Sequence, residues 1–220
     1  LIILDRNTSK SVTASKYITK VRQSYYTAPK QNKSVQPDAF IGLHQLQKLN
    51  MSANKIRTLP DTLFVPLRSL KNISLHQNEI NQQINLSILG TLRNLVVLDM
   101  ASNLISNITG SFPRPSTLQQ VSFDGNNLTD FGNIFGSSHR LTCISVQNNQ
   151  ISCLTQKAFS GSQNLKYLDI SPNNITKLPP NVFVDNSNLR LINMSYNYLQ
   201  RLSSKLFYGL RSEERRVERV

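Results

Sequence analysis

Cysteine is scarce in this chain, with Cys143 and Cys153 alone and no C-x-x-C pair, so neither a disulfide framework nor a zinc-ligand set is written into it. Glycine is equally sparse, eight residues with no phosphate-cradling run, and the patterns H-E-x-x-H and G-x-S-x-G do not occur. The three histidines, His44, His76 and His139, lie far apart without recurring acidic or cysteine partners. Twelve acidic residues are scattered with no pair that spacing nominates for acid–base work. Long apolar runs are missing as well: the longest span four residues, as at Leu1 to Leu4 and Leu95 to Leu98. Neither a membrane-spanning helix nor a signal peptide can be built from them. Catalysis, cofactor binding and metal binding therefore have no candidate residues, and the chain is expected not to be an enzyme.

The excess of basic over acidic residues gives a net charge of +13, which invites a nucleic-acid reading. Its distribution argues otherwise. Residues 1–36 hold seven Lys/Arg against one Asp, whereas residues 37–210 spread fourteen against eight over a much longer stretch. No basic helix with interleaved aromatics is present, so no nucleic-acid partner is expected.

What the chain does contain is a period. Seven copies fit L-x-x-L-x-L-x-x-N-x-L with conservative swaps: "LQKLNMSANKI", "LKNISLHQNEI", "LVVLDMASNLI", "LQQVSFDGNNL", "LTCISVQNNQI", "LKYLDISPNNI" and "LRLINMSYNYL". The asparagines are Asn54, Asn78, Asn103, Asn126, Asn149, Asn173 and Asn197, spaced by 23 to 25 residues. Alternating apolar residues at the start of each copy predict a short strand with one face inward. Consecutive strands would pair in parallel, and the sharp turn after each would leave backbone groups without ladder partners. A buried asparagine both donates and accepts, so a column of them can satisfy those groups. Further on, Leu59, Ile108, Phe131, Leu154, Leu178 and Leu202 form a second inward anchor column. Phe40, Phe64, Phe112, Phe135, Phe159, Phe183 and Phe207 form a bulky convex column, read as core. The second copy departs, with Gln83 at the anchor position and one residue too many, and a local bulge is expected there.

This pattern resembles the leucine-rich repeat family in its 24-residue form, over residues 37–210. The resemblance implies an α/β repeat solenoid: a horseshoe with a concave parallel β-sheet and an irregular or short-helical convex side. It also implies an extracellular or cell-surface location. Three segments follow. Residues 1–34 read as a divergent basic segment (degenerate repeat, loop or disorder). Extending the period back by 24 residues puts Tyr25 and Thr27 at leucine positions and Lys30 at the asparagine position. Residues 35–210 hold the back half of one repeat and the seven copies. Residues 211–220, "RSEERRVERV", resemble in their first seven residues a translated sequencing adapter and are read as foreign. With leucine as first residue and no cysteine-rich N-terminal cap of the family's kind, the chain is expected to be a fragment of a longer protein that continues past Leu210.

Nine Asn-x-Ser/Thr triplets occur, at Asn7, Asn32, Asn50, Asn72, Asn85, Asn107, Asn127, Asn174 and Asn193, against roughly four expected by chance. The excess favours secretion. Cys143 and Cys153 are expected not to bond each other, since a strand and a far loop of one repeat lie too far apart.

The surface left to act is the outward side of the strands. On it Asp99, Asp124 and Asp169 are the acids, Gln147 a polar neighbour, and Tyr167 and Tyr196 the aromatic anchors by residue type. Asn50, Asn72 and Asn193 fall on the same strands, so glycans there would confine a partner to the third to sixth copies. The unequal repeats and many acceptor triplets resemble Toll-like receptors. That resemblance implies recognition of a protein ligand or co-receptor by a receptor ectodomain in innate immune signalling. Dimerisation is left open, and membrane attachment would come only through a segment outside this chain. A secreted or anchored adhesion or matrix protein, and a non-catalytic regulatory subunit of an enzyme, are the alternatives.

Overall fold

The computed structural model describes residues 25–27 (backbone), 33–113, 116–136 and 138–210. Each apolar-alternating segment forms a three-residue strand: β1 (Tyr25–Thr27), β2 (Lys48–Asn50), β3 (Asn72–Ser74), β5 (Val97–Asp99), β7 (Gln120–Ser122), β8 (Cys143–Ser145), β9 (Tyr167–Asp169) and β10 (Leu191–Asn193). They pair in parallel, in the order β1-β2-β3-β5-β7-β8-β9-β10, as one eight-stranded sheet. Two further strands, β4 (Ile84–Asn85) and β6 (Ile108–Thr109), make a second small sheet. The convex connections are turns, with one 3-10 helix at Leu86–Leu89 and no α-helix among the described residues. Asn85 caps that helix, its side chain accepting from the Ser87 amide. No helix of the described residues is long and apolar enough to cross a membrane.

The middle residues of β2, β3, β5, β7, β8 and β9 point into the core: Leu49, Ile73, Leu98, Val121, Ile144 and Leu168 are buried. One layer further in, the convex phenylalanines stack. Ring centroids lie 6.0 Å apart for Phe112 and Phe135, 6.3 Å for Phe135 and Phe159, and 5.9 Å for Phe159 and Phe183. Phe131 packs edge-on against Phe135 at 5.4 Å. Each repeat buries its apolar side only because the next repeat covers it, the defining economy of a solenoid.

Three details differ from the sequence expectations. In the second repeat the anchor is Ile84, which is buried and pairs with Ile108, while Gln83 is exposed and hydrogen-bonds Thr109 Oγ1 at 3.2 Å. The extra residue pushes Gln83 outward and moves the next apolar side chain into its place. Leu202 is 37% exposed rather than an anchor, because no further described repeat packs against this last turn. At the other end, Tyr26 rather than Tyr25 pairs with Leu49, so the step from β1 to β2 is 23 residues. The repeats vary in length, and extrapolating a 24-residue step misses by one. Lys30 and residues 1–24 and 211–220 lie outside the described residues, as do the acceptors Asn7 and Asn32.

Candidate functional site: the strand face and its flanks

The asparagine column sets the geometry of everything outside it. Asn126 shows the pattern: its Nδ2 donates to Phe123 O at 2.9 Å in its own repeat and to Met100 O at 3.0 Å in the preceding one. Its Oδ1 accepts from the Ile105 amide at 3.0 Å. Asn78, Asn103, Asn149, Asn173 and Asn197 repeat the same reach to the previous turn. Asn54, the first, donates to Met51 O and Ser52 O of its own repeat. Every repeat is thus tied to its neighbour by side-chain bonds as well as by the sheet.

The residue before each ladder asparagine turns left-handed: Ala53, Gln77, Ser102, Gly125, Asn148 and Tyr196 all have φ between 53° and 60°. Only at Pro172 is this conformation barred, by the ring. Tyr196 therefore sits in the turn beyond β10, 68% exposed, and not on a strand. Its backbone carbonyl accepts from the Asn173 amide at 3.2 Å. The in-register neighbour of Tyr167 is Leu191 on β10.

On the strand face the acids are occupied. Asp99 Oδ1 accepts from the Ala101 amide at 3.1 Å, and Asp169 Oδ1 from the Ser171 amide at 2.9 Å. Asn50 and Asn193 make the same two-residue turn with Ser52 and Ser195. These side chains end their strands by offering the backbone a local acceptor. Asp124 holds the next repeat instead, accepting from the Gln147 amide and from Gln147 Nε2, both at 3.1 Å. Asp169 Oδ2 likewise accepts from Asn193 Nδ2 at 3.1 Å. Asp99, Asp124, Asp169 and Gln147 thus all have structural work. Cys143 lies between the last two acids, half-buried. Burial first, then the Asp124 and Asp169 charges, push its thiol pKa up, and the protonated thiol is the favoured form. Cys153 is exposed, and both thiols are free.

The first strand position of each repeat is different. Lys48, Asn72, Val97, Gln120, Cys143, Tyr167 and Leu191 lie side by side across the sheet. In this row Tyr167 is 46% and Leu191 49% exposed. Leu191 escaped sequence reasoning as a contact residue. An apolar side chain at an outward strand position was the signal that could have found it.

The acceptor asparagines divide by place. Asn85, Asn107, Asn127 and Asn174 are exposed on the return side beyond the strands, whereas Asn50, Asn72 and Asn193 are half-buried on the strand face. No group of three or more metal-ligating side chains exists among the described residues.

Comparison with known proteins agrees with this construction. The leucine rich repeat pattern matches residues 31–80, 139–199 and 170–212, more than half of the chain. Fibromodulin of Oryctolagus cuniculus is 29% identical over 108 residues, covering 49% of this chain and 71% of that protein; its Sus scrofa counterpart is 28% identical over the same shares. Among solved structures, a TLR13–ssRNA13 complex superposes with a TM-score of 0.70 at 25% identity, over 78% of this chain and 24% of that one. The Toll–Spatzle complex of Drosophila superposes with a TM-score of 0.62 at 19% identity, over 75% and 26%, a likeness of fold alone. This chain spans about a quarter of either. One of those complexes holds RNA and the other a protein, so the architecture by itself does not exclude the nucleic-acid ligand that the charge distribution argued against. With its ladder, its parallel sheet and the matched pattern, the chain belongs to the leucine-rich repeat family.

Proposed function

We propose that this chain is the ligand-recognition part of an extracellular receptor of the Toll-like kind, and that it binds a protein on the strand face between β5 and β9. Tyr167 carries the reading. It is the aromatic side chain of that face among the described side chains, nearly half exposed, on a sheet whose other polar groups are largely engaged with one another. A rigid, partly exposed aromatic on a pre-organised surface is the residue type that concentrates binding energy. Recognition rather than catalysis fits a face whose carboxylates serve as turn and inter-strand acceptors. Glycans on Asn50 and Asn193 would stand at its two ends and confine the partner to the middle.

The test is photo-crosslinking from position 167 in cells secreting the chain, with position 184 on the convex side as control; Val184 is similarly exposed. A discrete protein adduct from 167 and none from 184 is the expected outcome. Equal labelling from both positions, or none from either, removes the strand-face assignment. A second reading, a secreted or membrane-anchored repeat protein, is favoured by the extent of the fibromodulin match, which spans 71% of that protein, whereas the likeness to the receptor structures spans about a quarter of each. The complete transcript separates the two. An apolar stretch of about twenty residues with an intracellular domain supports the receptor.

A further inference from the structure

We infer that the flank leading into the strands is a second docking surface, made for an acidic segment of a protein partner. The flank consists of the four residues before each strand from β2 onward: 44–47, 68–71, 93–96, 116–119, 139–142, 163–166 and 187–190. Backbone bonds run across it from turn to turn, the amides of Lys71, Val96, Gln119, Thr142, Lys166 and Arg190 each donating to the preceding turn. Side chains brace it again. Asn94, Thr117, Asn164 and Asn188 donate to carbonyls of Arg68, Arg93, His139 and Gln163, at 3.1, 3.0, 2.7 and 2.9 Å.

On this braced surface the charge has one sign. Arg68, Lys71, Arg93, Arg140, Lys166 and Arg190 lie on it, with no aspartate or glutamate and no glycan acceptor. All but the half-buried Lys166 are exposed. The return flank, which follows each ladder asparagine, is mixed instead. It carries Lys55, Arg57, Lys177 and Arg201 with Glu79 and Asp130, and three exposed acceptor triplets at Asn107, Asn127 and Asn174. The ion pair found among the described residues, Arg57 to Glu79 at 3.0 Å, is on that side. A merely solvated surface would be expected to mix signs on both flanks. Among the described residues the leading flank keeps its cations unpaired by acids, and its segments contain no acceptor triplet.

The occupant follows from the layout. From 68–71 to 187–190 five strand intervals of about 4.8 Å span roughly 24 Å, the length of an extended peptide of about seven residues. Arginine supplies four of the six cations, and its fork matches a carboxylate with two bonds. The central segment, 116–119, is uncharged and offers hydroxyl and amide groups, so the charge is grouped at two ends rather than regular. A phosphate or sulfate polymer repeats its charge evenly and would leave its middle without a counter-charge. No Phe, Tyr or Trp occurs in the seven segments to stack a base, and the two histidines, His44 and His139, stand four segments apart. The inference rests on the protein-recognition reading but uses a different surface from Tyr167, so failure of the crosslink at 167 leaves it standing.

The test uses the whole chain and three labelled probes of about ten units: poly-glutamate interrupted at its centre by two serines to face 116–119, single-stranded oligouridylate and a heparin-derived oligosaccharide, read by fluorescence anisotropy at low and physiological salt. Poly-glutamate is expected to bind with salt-sensitive affinity. The triple variant Arg68→Glu, Lys71→Glu, Arg93→Glu is expected to weaken it at least about tenfold, and the return-flank control Lys55→Glu, Lys177→Glu, Arg201→Glu by less than about twofold. Glutamine at the same three flank positions removes charge without reversing it and should give an intermediate loss. Circular dichroism verifies that each variant keeps its fold. Absence of poly-glutamate binding overturns the inference, as does equal loss in both triple variants, which would reflect net charge alone. Tighter binding of the oligouridylate or the heparin fragment through the same residues overturns the assignment to a protein.

Discussion

Single residues here act by what they offer to the turn before. Asn126 donates to three carbonyls, those of Met100, Phe123 and Asp124, and accepts from one amide, all at an almost fully buried position. Alanine at 126 would strand those groups, each loss being worth about 1–3 kcal/mol where water cannot reach. Allowing for partial relaxation, Asn126→Ala is expected to lower stability by about 3 kcal/mol in urea titration. Asn197, half-buried in the last described repeat, should tolerate the same change better. Cys143 gives a pH-dependent counterpart. Its thiol pKa is raised, so the proton is held more tightly in the folded than in the unfolded chain. The resulting stability is complete below the unfolded pKa of about 9 and is lost as pH climbs through the higher folded value. Since Asp124 is the larger of the two charge contributions, Asp124→Asn in a Cys153→Ser background should speed alkylation of Cys143 at pH 8. An unchanged rate would remove Asp124 as a cause and leave burial and the Asp169 charge.

Turns and strands are fixed by how closely successive repeats approach. Gly161 is the narrowest point: a Cβ there would run into the backbone carbonyl of Gly136 in the preceding repeat, well inside contact distance. Its φ is not in the left-handed region, so glycine is needed for space and not for conformation. Gly161→Ala is expected to destabilise by about 1–3 kcal/mol, the usual range for overpacking a tight contact. Because Phe135 and Phe159 stack beside this crossing, a loss of near-ultraviolet aromatic signal should accompany it. An alanine variant with unchanged melting and unchanged aromatic signal would show that the turn can shift freely.

At the scale of the molecule, acceptor triplets with mixed charge lie on one flank and charge of a single sign on the other. If the chain is secreted, Asn85, Asn107, Asn127 and Asn174 should be glycosylated to high occupancy, since their side chains are exposed on turns or short edge segments. Asn50 and Asn193 should be occupied less, because Ser52 and Ser195 already hold their side-chain oxygens and Asp169 holds Asn193 Nδ2. Glycopeptide mass spectrometry of material from a mammalian secretory host reads this directly. Full occupancy at Asn50 and Asn193 would confine docking to the middle strands, and bare acceptors throughout would count against secretion.

The repeat was legible in the chain because its cause is local and periodic. Leucines two residues apart must share one face of a strand, and an asparagine at fixed offset must meet the same turn in each copy. Strand positions, the buried phenylalanines and the order of neighbours all follow from that. What lay beyond it needed the third dimension. Gln83 and Ile84 exchanged places because one inserted residue can be absorbed by either, and only packing against Ile108 selects the apolar one. Asp99, Asp124 and Asp169 looked like free surface acids, whereas backbone amides had already claimed them, two residues on for Asp99 and Asp169 and in the next repeat for Asp124. Tyr167 and Tyr196 fall in neighbouring copies, yet register pairs Tyr167 with Leu191 and leaves Tyr196 in a left-handed turn. The cations of the leading flank are more than 20 residues apart in most cases, and nothing local marks them as a set. The sequence alone determined the period and the inward face, since both arise within one repeat. Stacking decided which polar groups stay free and which charges share a side, because those depend on how one repeat meets the next.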